Sequence, residues 1–435
     1  MGVGLLGAAG SAQAQALPAA EASPISTGFA LPTTSGSLSY ALSASEGLNW
    51  GFFSNSGRSE STNLNGNLGY ISNSKRDPFS AVVSGGRSFG TGQPSYNFLG
   101  AGLSQVIAVK HWTYVLSDNV SYLPQTPALG LAGLPGLGDI GISPVLLGVI
   151  PTTSTIAAPT QGVLTNYEER VTNTASGGFS REFTAKTSLR GSGAYSISRF
   201  VNTTSPQHTG LDYNVVSGGG GLYHAYTRRT TVGGNFEYSD FTYLGQSLGM
   251  PTPDLKTQTA TINFQHQYNR KFAVDAAVGP QWTTIELGTD TTSISAFANV
   301  AATYQGEVTH QALTFVRSTN AGYGVIGGGV STSVGYTAER KFGGGLWAAG
   351  LNASYSDTKS LPSATLPSFV FHTGVVGAQV SRALPHSLSA FASYSLQSQT
   401  DHGAFLTLLN AFSGQYQNLS FGITYSPMPI HIGGH

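Results

Sequence analysis

Hydrophobic and polar residues alternate along most of this chain, and the stretch from Thr257 to Leu287 shows the pattern on both sides of a turn. On the way in, Thr259, Thr261, Asn263, Gln265 and Gln267 interleave with Ala260, Ile262, Phe264, His266 and Tyr268. After Asn269, Arg270 and Lys271 the chain returns, and Phe272, Val274, Ala276, Val278 and Trp282 interleave with Ala273, Asp275, Ala277, Gly279 and Gln281. Successive side chains of a strand point to opposite faces, so a period of two makes one face apolar and the other polar. Each arm runs past about ten residues, against about five or six in an ordinary soluble strand. A tilted strand of that length matches the hydrocarbon thickness of a bilayer, with lipid on one face and a wet lumen on the other.

The same reading carried from Ser37 to Ser426 gives about eighteen antiparallel segments, joined by connections of two alternating kinds. Short ones fall at 75–78, 110, 181–182, 227–230, 269–271, 306–307, 340–342 and 382–386; longer ones at 54–60, 91–95, 124–163, 202–210, 245–255, 288–292, 320–327, 358–368 and 400–414. Short turns at one rim and long loops at the other are the asymmetry of a membrane barrel, and an even strand count returns both chain ends to the short-turn rim. The expected fold is all-β: a closed, transmembrane, antiparallel up-and-down barrel, because closure removes the unpaired edges that lipid would not tolerate. The short turns also hold most of the cations, among them Lys75, Arg76, Lys110, Arg181, Arg228, Arg229, Arg270, Lys271, Arg340, Lys341 and Arg382. Aromatics gather near strand ends, with Tyr226, Tyr268 and Phe272 on the turn side and Tyr122, Tyr243 and Trp282 on the loop side, as paired interfacial girdles would.

Composition narrows the alternatives. Charged residues are 9% of the chain, against about 25% in soluble proteins, and Ser, Thr, Asn, Gln and Gly fill the gap. The formal net charge of +0 gives no reason to expect nucleic acid as a partner. The absence of cysteine excludes disulfides and Cys-ligated metals. After the leader no run of apolar residues is long enough for a helical span. Residues 1–16 end in Ala12-Gln13-Ala14-Gln15-Ala16, a small-residue pattern resembling a signal-peptidase site, and read as a signal-peptide remnant. Residues 17–36 are then a periplasmic lead-in, 37–426 the barrel and 427–435 a C-terminal extension.

Built this way, the region 37–426 resembles Gram-negative outer-membrane β-barrels of the porin or exporter size class. The resemblance is one of architecture and covers nearly the whole mature chain. In that superfamily the last strand often ends on an aromatic residue read by the barrel-assembly machinery. Leu419, Phe421, Ile423 and Tyr425 show the matching alternation, although Ser426 to His435 follow. The resemblance implies an integral protein of the cell outer membrane with both termini periplasmic, in contact with outer-membrane lipid and lipopolysaccharide; homo-oligomers are left open. In general porins the third external loop folds into the lumen as a constriction; the resemblance offers that role to 124–163, the alternative being a loop packed over the barrel mouth or against lipid or a partner protein. Here that loop carries Pro124, Leu137, Pro144 and Ile150 with a single charge, Asp139. An apolar constriction favours neutral solutes and restricts ion flow.

Candidate pore-lining residues follow from strand phase. Arg190, Glu237 and Asp275 lie opposite in phase to apolar neighbours such as Leu189, Phe236 and Val274, and Asn263 and Gln265 share the inward face of their strand. Catalysis has little to recommend it. His111, His224, His266, His310 and His386 sit near short turns, and Gly218 to Gly221 lie within a strand with no following Lys or helix to make a phosphate loop. No catalytic residue, metal site or cofactor is expected. The function expected is a porin-like channel for passive passage of small, neutral solutes. The alternatives are an export barrel for a neutral exopolysaccharide and a plugged structural or adhesive surface barrel.

Overall fold

In the computed structural model the described residues are 35–51, 58–74, 77–91, 95–124, 169–201, 212–244, 246–247, 250–251, 254–287, 289–320, 328–361, 368, 370–402 and 414–432. The alternating segments form β1 (Gly36–Gly51), β2 (Arg58–Ser72), β3 (Phe79–Thr91), β4 (Tyr96–Val109), β5 (Trp112–Pro124), β6 (Glu169–Glu182), β7 (Thr187–Phe200), β8 (Asp212–Ala225) and β9 (Thr230–Leu244). Two-residue strands β10 (Gln246–Ser247) and β11 (Met250–Pro251) make a separate small sheet. The wall continues with β12 (Asp254–Gln267), β13 (Phe272–Leu287), β14 (Thr289–Gln305), β15 (Thr309–Asn320), β16 (Gly329–Phe342), β17 (Trp347–Ser360), β18 (Val370–Ala383), β19 (Leu388–His402) and β20 (Gly414–Tyr425), followed by β21 (Ile430–Ile432).

Each long strand pairs antiparallel with its predecessor, β9 pairs with β12, and β20 returns to β1 from Leu42↔Tyr425 to Gly51↔Tyr416. The result is a closed, antiparallel, up-and-down barrel of 18 strands. Ser426 to Pro429 interrupt the last strand, and β21 then re-enters the ladder against the start of β1, Gly36↔Ile432 to Leu38↔Ile430. Strands β4, β9 and β13 have the bounds expected from alternation alone. The 288–292 region departs from expectation: instead of a loop, the β13–β14 ladder runs on to Leu287↔Thr289. β-branched Thr289, Thr291 and Thr292 favour extended backbone, and the hydroxyls of Thr284 and Thr292 meet at 3.0 Å across the pair. At the other rim, β4 and β5 are joined by Lys110 and His111 alone, with Lys110 in the left-handed region at φ 54°.

The distribution of side chains is the inverse of a soluble protein's. Ser43, Ser45, Asn49, Ser61, Asn65, Thr257, Thr259, Thr261, Asn263, Asn299, Ser333, Ser356, Ser395 and Ser420 are buried, while Leu42, Leu68, Leu103, Leu116, Leu222, Ile262, Val278, Leu313, Val376 and Ile423 are exposed. Antiparallel partners share a face, so the ladders fix both sets: Ile262 pairs with Val278 outside, and Asn263 pairs with Ala277 inside. A sealed ring pairs the strands' backbone groups with one another, and a mostly apolar outer surface around it is the condition for spanning a bilayer.

At the short-turn rim the outer surface ends in aromatic and cationic pairs. Trp112 opposes Arg181, whose guanidinium lies 5.0 Å from the Trp112 ring and 5.0 Å from Phe183. Across the barrel the arrangement repeats: Trp347 opposes Arg382 at 5.1 Å and stacks on Phe342. A guanidinium over a ring stays attractive at a lipid–water boundary.

Candidate functional site: the inner wall

The inner wall is built by the odd residues of β12 and β13 and their ladder partners around the ring. Arg190 opposes Gly221, which opposes Asn235, which opposes buried Thr261. Glu237 lies between Gly219 and Thr259. Asp275 lies between Gln265 and Ala301. The register therefore puts Arg190, Glu237, Asp275, Asn263 and Gln265 on the face opposite to Phe236, Ile262 and Val278.

One sector of this wall, β7 to β9, has a bare floor. A Cβ on Gly221 would fall 2.4 Å from the Gly234 carbonyl oxygen, and one on Gly219 would fall 2.6 Å from that of Phe236. Only glycine fits both positions, and the space left inward is bordered by Arg190, Tyr223, Asn235 and Glu237. The Arg190 guanidinium sits 4.5 Å from the centre of the Tyr223 ring. The run of four glycines is thus a device of packing, with Gly219 and Gly221 inward and Gly218 and Gly220 outward.

The opposite sector carries amides and hydroxyls. Tyr416 Oη and Asn418 Nδ2 both donate to Asn49 Oδ1 at 2.6 Å, and Asn49 Nδ2 donates to Ser61 Oγ at 3.3 Å. Thr373 Oγ1 donates to Gln399 Oε1 at 2.9 Å; beside the glycine floor, on β12 and β13, Gln281 Nε2 donates to Thr259 Oγ1 at 3.1 Å. Gln397 is fully buried, and neither its Nε2 nor its Oε1 has a hydrogen-bond partner among the described residues. Phe371, Val375 and Gln399 on the neighbouring positions have equally little contact with solvent.

Several residues escaped the sequence reading. Arg170, Glu182, Glu339 and Lys341 also face inward, since their partners Phe200, Ser188, His310 and Ala348 lie on the inner register. Strand phase contained that signal: once Arg181 is outward beside Trp112, Glu182 must turn in. Tyr243, expected in the outer girdle, instead packs inside against Leu255, Ile285 and Leu361, with Tyr213, Phe241 and Val330 around them. Its phase follows Thr257 through the Leu255↔Phe241 pair, so the ring has no access to the outer surface. In the long loop 124–163, Pro124 is the last residue of β5 and pairs with Glu169; Leu137, Asp139, Pro144 and Ile150 lie outside the described residues. Among the described residues no group of three or more His, Cys, Asp or Glu could hold a metal ion.

No family model matches the chain, and no curated protein matches it. Among solved structures it is similar to OpdQ of Pseudomonas aeruginosa, with 10% identity and a TM-score of 0.43 over 91% of this chain and 99% of that one. The outer membrane protein opdK from Pseudomonas aeruginosa shows 8% identity and a TM-score of 0.42 over 91% of this chain and 98% of that one. The ferric citrate transporter FecA in its unliganded form shows 12% identity and a TM-score of 0.45 over 92% of this chain and 65% of that one. Likeness at this level carries no function across, and the reading of this chain stands on its own wall.

Proposed function

We propose that the chain is an outer-membrane channel through which small, uncharged polar solutes pass passively. The observation that supports this reading is the inner wall itself, lined along its height by Ser, Thr, Asn and Gln while the outer wall is apolar. Hydroxyls and amides exchange hydrogen bonds with a passing solute or with water, and exert little field on ions. Lumenal charges are few, and Arg190 is engaged with Tyr223. In this reading the long loops face outside, both termini are periplasmic, the assembly machinery reads the last strands, and lipopolysaccharide meets the long-loop rim. Residues 124–163, with Leu137, Pro144 and Ile150 around the single Asp139, supply the constriction.

A second reading, an occluded surface barrel, draws on one observation: the inner positions Phe371, Val375, Gln397 and Gln399 have almost no solvent contact. Single-channel recording of the purified chain in planar bilayers separates the two. A channel gives conductance steps that grow when residues 125–163 are shortened, and vesicles containing it admit neutral sugars faster than charged solutes of equal size. Silence in both the full and the shortened chain would replace the channel with the occluded barrel.

A further inference from the structure

The ring is closed, but toward the long-loop rim one of its ladders is left half made. β14 is paired with β13 from Phe272↔Tyr304 up to Leu287↔Thr289. With β15 it is paired only from Gln305↔His310 to Ala298↔Arg317, and among the described residues no strand pairs with the other edge of 289–297. β15 itself runs on to Asn320, still paired with β16, and β16 with β17. A cause lies on β13. Val278, which opposes Ala298 at the level of the split, is followed by Gly279 and Pro280. The β12–β13 ladder skips both, passing from Ile262↔Val278 to Thr259↔Gln281. Proline has no N–H to give to a ladder, and a Cβ on Gly279 would collide with the Ala260 carbonyl oxygen. The β13–β14 hairpin above this break is an arm with its own hinge.

The tops of β15 to β17 lie inside that arm. By strand phase Thr319 and Val330 belong to the outer face, with Arg317 and Val334, while Leu255, Gln281, Thr283 and Ile285 belong to the inner one. Yet the two sets meet. The Thr319 N–H donates to Gln281 Oε1 at 2.8 Å, and Thr319 Oγ1 lies 3.1 Å from Thr283 Oγ1. Val330 and Leu361 pack on Tyr243, Leu255 and Ile285. The outer face of one part of the wall thus rests on the inner face of another, and the overlap takes three strands' width out of the mouth. The arm left outside is bare on both faces: Thr291 and Thr292 are exposed, whereas Thr283 and Ile285 opposite them on β13 are buried. With Asp290, Thr291 and Thr292 along it, the free edge of β14 suits water, where unpaired backbone groups are tolerated.

We propose that this overlap is a gate at the barrel mouth with two positions. In the tucked position, the one in the structure, Gln281 is the latch: its Nε2 holds Thr259 of β12 while its Oε1 accepts from Thr319 of β15. In the zipped position the β14–β15 ladder runs on in unchanged register through Phe297↔Ser318, Ala296↔Thr319 and Ser295↔Asn320. Each of these pairs joins residues of one face, so zipping needs no change of phase. A free strand edge is a ready template for pairing, and here the nearest candidate is the end of the neighbouring strand. Zipping draws the tops of β15 to β17 back into the ring and widens the mouth. That a wider mouth passes more current rests on the channel reading given above.

The chain has no cysteine, so each position can be locked in the full protein. Thr283→Cys with Thr319→Cys bridges the tucked position, and Ala296→Cys with Thr319→Cys bridges the zipped one, where directly opposed residues come within disulfide reach. Folding is checked by heat-modifiable gel mobility, and bridge closure in lipid vesicles by non-reducing gels after mild oxidation. Both pairs should close. Adding Gln281→Ala should raise the yield of the zipped bridge and lower that of the tucked one. In planar bilayers the tucked bridge should shrink the conductance step and the zipped bridge enlarge it, both reversed by reductant. A tucked pair that stays open, a zipped pair that stays open while the tucked one closes, or two closed bridges with equal conductance would each overturn the proposal. Closure of both pairs, with the Gln281→Ala shift, in a chain that never conducts would support the two positions and sink the channel reading instead.

Discussion

Ile262 and Asn263 are adjacent in β12, yet Ile262 is 66% exposed and Asn263 only 7%. In a water-soluble sheet the two would change places. Comparing the outer and inner faces of this one strand teaches that the medium outside the ring is the less polar one, and that the chain distinguishes the two media residue by residue. The same contrast explains why most of the charges here sit at rims or in the lumen. Changes that make one face resemble the other are the sharpest way to break the comparison.

The largest effect is expected from Ile262→Lys. It places an ammonium at mid-wall among Phe264, Val278 and Ala260, where the penalty is about 2–4 kcal/mol; equilibrium unfolding in lipid vesicles should show the loss, and Asn263→Lys, pointing into the lumen, should lose far less. Next comes Gly279→Ala. A Cβ there would lie 1.8 Å from the Ala260 carbonyl oxygen, at the point where Pro280 already breaks the β12–β13 ladder, so the strand must shift. Overpacking of this kind costs about 1–3 kcal/mol or more, read as a lower denaturant midpoint.

A change in the opposite direction is expected on the inner wall. Gln397→Leu removes a buried amide with no hydrogen-bond partner on either atom among the described residues, and an unsatisfied buried group of this sort costs about 1–3 kcal/mol. The variant should therefore unfold at higher denaturant than wild type; a lower midpoint would mean that the amide is satisfied in the folded barrel. The smallest effect belongs to the turn. Lys110→Asn relieves a lysine held at positive φ, where asparagine is better tolerated, and should stabilise by about 1 kcal/mol or less, with conductance unchanged.

Lipid on one face is also why so much of the fold could be read from sequence. It demands an apolar residue at every second position over a long run, so β9 and β13 are delimited by their own alternation. Where that demand lapses, the reading lapses. Near the rims both faces are polar, and the phase of Glu182 and Lys341 is visible only through the ladder. Around Gly218 to Gly221 there is no side chain to carry a phase, and inside versus outside emerges from the Gly219↔Glu237 pairing. Tyr243 shows the remaining weakness: an aromatic at a strand end suits the girdle and the lumenal cluster with Leu255 equally well until its neighbours are known.

The absence of cysteine from the chain makes a nitroxide scan along β12 the most direct measurement. Single cysteines from Thr257 to Gln267, spin-labelled in lipid vesicles, report collision with oxygen, which concentrates in hydrocarbon, and with a water-soluble nickel complex. The account predicts oxygen maxima at Ala260, Ile262 and Phe264 and nickel maxima at Thr259, Thr261, Asn263 and Gln265. Low oxygen collision at Ile262 and Phe264, or the two reagents peaking at the same positions, would contradict a barrel with lipid outside and a polar lumen within.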